Sequence, residues 1–491
     1  MPRPLSCLSL ILILQLKIYT AATIPAMSYF PLPSSVAICQ GEQNYSSEEK
    51  IRALVSKTIR TLNLPTGFIQ PGEKVILKPN WVKEHDERHP GDDTSWEYVV
   101  THPLIIETVA EWAAGCLGNS GQIIFCDAPQ TDSSFAKIRK YCRLDEMIAR
   151  LRKQYPQIKF QLLDLRPEEW HAVDGITLSK TKLPGDPLGS TQIHLDESSE
   201  FYNFKGLGNL FGASIDMAET NRHHQGLNHE YLLCRTPMDA DVFINLPKMK
   251  THKKVGITCA LKNLVGINAN KNWLPHHTEG TPAQGGDQFP ANTAKARLEQ
   301  RWMGAAKRMI LRYPPLAKFL VPIKGLARHF FGDTQNVVRS GNWYGNDTCW
   351  RMVLDLNKCL FLYNGAGQLR SKPLRYLSII DGIIGGEGNG PMSPDPKPAG
   401  VIIAGTHPLA TDCAAARCMG FDYEKIPMLR NAFTIKHGNF VPFSMKDLTY
   451  RTDPESIPAP LKKLKPITRF KPHFGWRDHI ELAESPLHKN Q

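Results

Sequence analysis

The stretch DVFINLPKMKTHKKVGITCALKNLVGIN, residues 241–268, runs from apolar to strongly basic and back to apolar. Val242, Phe243 and Ile244 have the length and the β-branched and aromatic character of a buried strand. Asn245 and Pro247 break that run, and Lys248, Lys250, His252, Lys253 and Lys254 follow within seven positions. From residue 255 to 265 apolar side chains return at helical spacing, with Lys262 and Asn263 among them. Strand, polar turn and helix in that order predict an open α/β sheet, which collects its ligands outside the carboxyl ends of its strands. Five groups able to carry positive charge repel one another unless water or an anion answers them. A lysine inside an apolar helix needs a carboxylate, a phosphate or a shifted pKa. The alternative to a ligand site is a solvated basic turn beside a core helix.

Working outward, apolar runs at 36–38, 74–77, 122–126, 160–163, 377–380 and 401–404 read as further strands. Helical patterns at 46–62, 102–114, 133–154 and 409–418 alternate with them, Thr101 standing where a cap belongs. This rhythm predicts an α/β fold: a mostly parallel open sheet covered by helices on both faces, carried by residues 36–290 and 375–433. The polar segment 270–292 is long for a loop in a compact domain and reads as a flap over the basic turn. Between residues 301 and 331 there are seven Lys/Arg and no acid. Segment 294–331 therefore reads as a basic helical insertion, either a hairpin packed on its own protein or a contact for an anionic membrane surface. Residues 434–491 read as an irregular surface tail.

At 491 residues the chain has ample length for a large core. A formal charge of +12 fits an anionic partner. No zinc finger, ribonucleoprotein motif or Arg–aromatic stripe occurs, so nucleic acid is not the expected one. Residues 1–26 hold one early arginine, a short apolar run and small residues, the pattern of a signal peptide or anchor or of a disordered leader. Export or membrane association follows if it is a signal, and a cytoplasmic location otherwise. The eleven cysteines contain no CxxC, which argues against an iron–sulfur cluster and a cysteine-based zinc site.

Chemistry is expected where strands end. Asp127, Asp381, Glu387 and Asp412 follow strands, sit in the glycine-rich turn 385–391 or open a helix. Carboxylates gathered in one cleft repel unless a cation intervenes, which predicts a hard divalent metal, magnesium or manganese. Lys248, Lys250, His252 and Lys262 would hold a small carboxylate or phosphate group, with Asn80, Asn263 and Asn389 orienting it. Lys250, His252 and Lys262 are the catalytic candidates, His252 or Lys250 being the proton carrier. The expectation is a metal-assisted enzyme acting on a small anionic substrate; the alternative is a non-catalytic protein for an anionic ligand or membrane surface.

Six pieces carry a family resemblance: LKPNWV (77–82), THP (101–103), IIFCDAP (123–129), INLPKMKTHKKVGITCALKNLVGI (244–267), IIDGIIGGEGNGP (379–391) and VIIAGTHPLATDCAAARCMGF (401–421). In this order they resemble the domain of unknown function 362 (DUF362) family. Many members of that family end in a ferredoxin-like CxxCxxCxxxCP cluster, and some carry export signals. This sequence lacks the cluster, so the resemblance implies neither electron transfer through clusters of its own nor any single activity.

Overall fold

The computed structural model describes residues 33–173, 176–293 and 337–483, with Leu298 and Met309. The expected leader at 1–26 and, those two residues apart, the insertion at 294–331 lie outside the described residues. Eleven strands share one sheet: β1 (Ser35–Gln40), β2 (Lys74–Pro79), β3 (Gln122–Asp127), β4 (Lys159–Asp164), β5 (Val242–Leu246), β6 (Lys248–His252), β7 (Gly256–Thr258), β8 (Arg375–Asn389), β9 (Ser393–Gly405), β10 (Thr449–Arg451) and β11 (Ala459–Pro460). Their order is β11-β10-β1-β9-β8-β5-β2-β3-β4, with β6 beside β8 and β7 beside β6. From β4 through β3, β2 and β5 to β8 the strands are parallel. The pairs β8–β9 and β9–β1 are antiparallel. The chain builds β2, β3 and β4 outward, then returns to lay β5 on the other side of β2. The gap between the ends of β2 and β5 is thus a topological switch point, where open α/β sheets bind ligands.

Alternate side chains of the central strands enter different cores, as strand geometry requires. Ile76, Ile124, Phe243 and Ile403 face one apolar cluster, whereas Val75, Phe125, Ile244 and Ile402 face the other. Helices α1 (Glu48–Leu62), α2 (Pro103–Leu117) and α3 (Leu144–Gln154) cover the second face. On the first lie α4 (Ala260–Asn263), α5 (Cys349–Leu362) and α6 (Pro408–Cys418). Both faces are covered by helices, as the alternation of elements predicts. Among the described residues no helix is long and apolar enough to cross a membrane.

Local corrections have physical causes. The helix expected over 133–154 is two, Phe135–Tyr141 and α3, broken where Arg143 turns to a φ of 48°. The cap of α2 is His102, whose ring accepts the Leu104 N–H at 3.2 Å, and not Thr101. Thr101 instead ties two strand ends together, accepting from Asn80 N and donating to Leu246 O. The basic turn 248–252 is strand β6, all five residues buried between β8 and β7. The helix expected over 255–265 shrinks to α4 and a 3-10 turn, Leu264–Ile267, because β7 occupies its first part. The tail is no mere surface wrap: it adds β10 and β11 and buries Leu448, Leu461, Phe470, Trp476 and Ile480.

Candidate functional site

A cleft of about 230 Å³ opens at the carboxyl ends of β2 and β3. Asn80 and Val82 follow β2, while Asp127, Ala128, Gln130 and Thr131 end or follow β3. His252, Lys253, Lys254 and Thr258 come from β6, β7 and the turn between them. Lys262, Asn263, Val265 and Gly266 come from α4 and its 3-10 extension. Lys271 and His276 close one side, and Pro391 and Met392, in the β8–β9 turn, another. Arg166, 1 % exposed, shapes the β3 side by donating to the carbonyls of Gln130, Thr131 and Ser133.

A ladder of buried amides crosses the switch point beneath this cleft. Lys250 Nζ donates to Asn80 Oδ1 at 3.0 Å, and Asn80 Nδ2 to Asn263 Oδ1 at 2.8 Å. Asn263 Nδ2 donates to Asn245 Oδ1 at 2.7 Å, and Asn245 Nδ2 to the Tyr376 hydroxyl at 2.9 Å. Each donor meets an acceptor, so the ladder fixes the ends of β2, β5 and α4 relative to one another. Beside it Lys78 Nζ and Asp127 Oδ1 pair at 2.8 Å, and the Trp81 N–H reaches Asp127 Oδ2 at 2.7 Å. Gly266 passes directly over this pair: a Cβ there would stand 1.8 Å from Asp127 Oδ1.

The cleft is rich in nitrogen and short of charge compensation. Lys262 is 7 % exposed, and its ammonium has no hydrogen-bond or ion-pair partner among the described residues. Burial holds its pKa below the usual lysine value. Lys271 donates to Ala128 O and Val265 O, and burial, opposed by Asp127, brings it down to about 8. His252 and His276 are pushed well below the ordinary histidine value by burial and then by neighbouring lysines, Lys262 foremost for both. Thr258 Oγ1 is buried without a hydrogen-bond partner among the described residues.

The structure divides the expected site residues. Asn80, Asp127, His252, Lys262 and Asn263 line the cleft. Lys250 is not part of the cleft lining; its ammonium is caged by Asn80 Oδ1, Val99 O and Pro391 O, where it cross-links the strand ends. Lys248 pairs with Asp381 at 3.0 Å in a separate buried cluster, with the Tyr45 hydroxyl 2.6 Å from the same carboxylate and His102 stacked on Tyr45. Asp412 receives Ala260 N at 2.6 Å and Leu261 N at 2.9 Å and anchors the start of α4. Glu387 receives Lys471 N at 2.8 Å and lies 3.5 Å from Lys397 Nζ. Asn389 ends β8 opposite Ser393 and is outside the cleft lining.

The four carboxylates expected to share a divalent ion lie apart, Asp127 with Lys78, Asp381 with Lys248, Glu387 with the Lys471 N–H and Asp412 with two backbone N–H groups. Among the described residues no three His, Cys, Asp or Glu side chains gather as metal ligands. Of the glycine-rich run 385–391, residues 385–389 are β8 paired to β9 and Pro391 alone lines the cleft. Its small residues serve backbone approach: a Cβ on Gly385 would stand 2.9 Å from Met249 O, and one on Gly390 2.0 Å from Thr251 O. Thr258, Lys271 and His276 were missed as site residues. Lys271 and His276 fall in the segment read as a flap, and that position was the signal for them.

The family model described as Domain of unknown function (DUF362) matches residues 204–417. No curated protein matches the chain. Among solved structures, a crystal structure of a Thermotoga maritima protein from the Northeast Structural Genomics Consortium is similar at 11% identity and a TM-score of 0.31. That alignment covers 74% of this chain and 57% of the other.

Proposed function

We propose, for a chain whose residues 204–417 belong to the DUF362 family, that the cleft binds a small carboxylate- or phosphate-bearing molecule on which the protein acts as an enzyme. The observation that carries this reading is Lys262, a buried ammonium at the wall of the cleft with no ion-pair or hydrogen-bond partner among the described residues. An uncompensated buried charge is costly, and a ligand carboxylate or phosphate removes that cost. His252, Thr258, Lys271 and His276 supply further polar groups around the same space. Several titratable groups shifted together in one cleft are the setting for proton transfer, which favours an enzyme over a passive binder. No step is assigned to a metal.

The test is Lys262→Met, read by calorimetric titration with inorganic phosphate and with acetate and by urea unfolding. The variant is expected to bind the anions weaker by about tenfold or more, the worth of one charge-assisted hydrogen bond. It should also unfold at equal or higher urea concentration, because the uncompensated charge is gone. A variant that lost stability and kept its anion affinity would make Lys262 a structural residue and end this reading.

A further inference from the structure

The two cleft histidines are held in opposite tautomers by backbone groups that leave no choice. Lys254 N–H, which can only donate, reaches His252 Nδ1 at 3.0 Å. Leu274 C=O, which can only accept, lies 2.9 Å from His276 Nδ1. Neutral His252 therefore carries its proton on Nε2, whereas neutral His276 carries it on Nδ1 and keeps a lone pair on Nε2. His252 offers the cleft a donor; His276 offers an acceptor.

We infer that the ligand of this cleft is an anion bearing a hydrogen-bond donor beside its charge, a phosphate that keeps a proton or a carboxylate with a neighbouring hydroxyl. Its charged oxygen meets Lys262 and His252 Nε2–H, and its donor meets His276 Nε2. This rests on the reading of the cleft as an anion site and adds a selection rule to it. Every other nitrogen named at the cleft wall donates, so an anion with acceptors alone would leave the His276 lone pair facing its negative oxygens. A site built to receive a ligand hydroxyl rejects the analogue that lacks it, because its own polar group is left unpaired. Burial first, and then the cationic Lys262, Lys254 and Lys271, hold the His276 ring neutral and accepting.

Matched probes separate the parts of the inference. Hydrogen phosphate and sulfate share shape and charge, but only the first keeps a proton; glycolate and acetate differ by one hydroxyl. Calorimetric titration of the full chain at neutral pH should show hydrogen phosphate preferred over sulfate, glycolate over acetate, or both, by about tenfold or more. Preference in one pair identifies that ligand class. His276→Asn keeps a donor for Leu274 O and lacks the Nε2 lone pair, so it should collapse the preference by weakening the donor-bearing anion of the pair. Equal binding within both pairs, or a preference that survives in His276→Asn, overturns the inference. Wild-type protein that binds none of the four probes removes the anion site itself, a different failure. Should His276→Asn not fold, nitrogen-15 histidine spectra of the wild type decide: a proton on His276 Nε2 in the neutral ring overturns the assignment.

Discussion

Five lysines deserve comparison, because burial is common to all and the answer to their charge is not. Lys78 has Asp127, Lys248 has Asp381, and Lys358 has Glu200 and Asp355. Lys250 has three neutral oxygens. Lys262 has none among the described residues, and of these five it is the one that lines the cleft. Asp412 shows the reverse problem, a buried carboxyl with two backbone N–H donors and no cation paired with it among the described residues. Burial outweighs those donors and raises its pKa to about 7. The folded chain then holds a proton there that the unfolded chain releases near the ordinary carboxyl value of 3.8, so this group costs stability as pH rises from about 4 to about 7. Asp412→Asn removes the titration but turns an amide N–H₂ toward a backbone N–H, an expected loss of about 1–3 kcal/mol. The advantage of wild type over Asp412→Asn in urea should therefore grow as pH falls from 7 to 4. A difference independent of pH would mean that the carboxyl titrates alike in both states.

At the scale of elements, β6 explains what was legible and what was not. The apolar strands β2, β3, β5, β8 and β9 were readable because each pairs with strands on both sides and fills two cores, which demands continuous hydrophobic runs. In β6 the same burial is achieved with lysine and histidine, each bonded within the protein, so the charge in the sequence suggested a basic turn at a ligand site and not a strand. The site was half legible for a related reason. Asn80, Asp127 and Asn263 lie at strand ends or on the following helix, where topology alone points. Lys271 and His276 reach the cleft from a segment whose path no local pattern specifies. Gly266 is the element-scale counterpart: the 3-10 turn Leu264–Ile267 can cross the Lys78–Asp127 pair only without a side chain there. Gly266→Ala is expected to cost about 1–3 kcal/mol in urea unfolding, the usual range for overpacking a close contact. Unchanged stability would mean that the turn can lift off the pair.

Across the whole molecule, the C-terminal segment read as a surface tail returns to the edge of the cleft. Trp476 is 1 % exposed, and its indole N–H donates to Lys253 O at 2.8 Å. Its ring lies over Gly256, where an added Cβ would stand 3.1 Å away and where φ is +85°. The turn between β6 and β7 is thus clamped from outside by a residue more than 200 positions away, and that turn carries the Lys254 N–H that fixes the His252 tautomer. Trp476→Ala should therefore act at two levels. Loss of a buried indole is expected to destabilise the fold by about 3–5 kcal/mol. Anion affinity should fall as well, because an unclamped turn no longer holds His252 Nε2–H toward the ligand. Trp476→Phe separates the two effects, restoring most of the packing without the bond to Lys253 O. Urea unfolding and phosphate titration of both variants provide the check. If Trp476→Phe recovers stability but not affinity, the indole hydrogen bond positions the cleft; if Trp476→Ala binds phosphate as wild type does, the tail stabilises the sheet and has no part in the site.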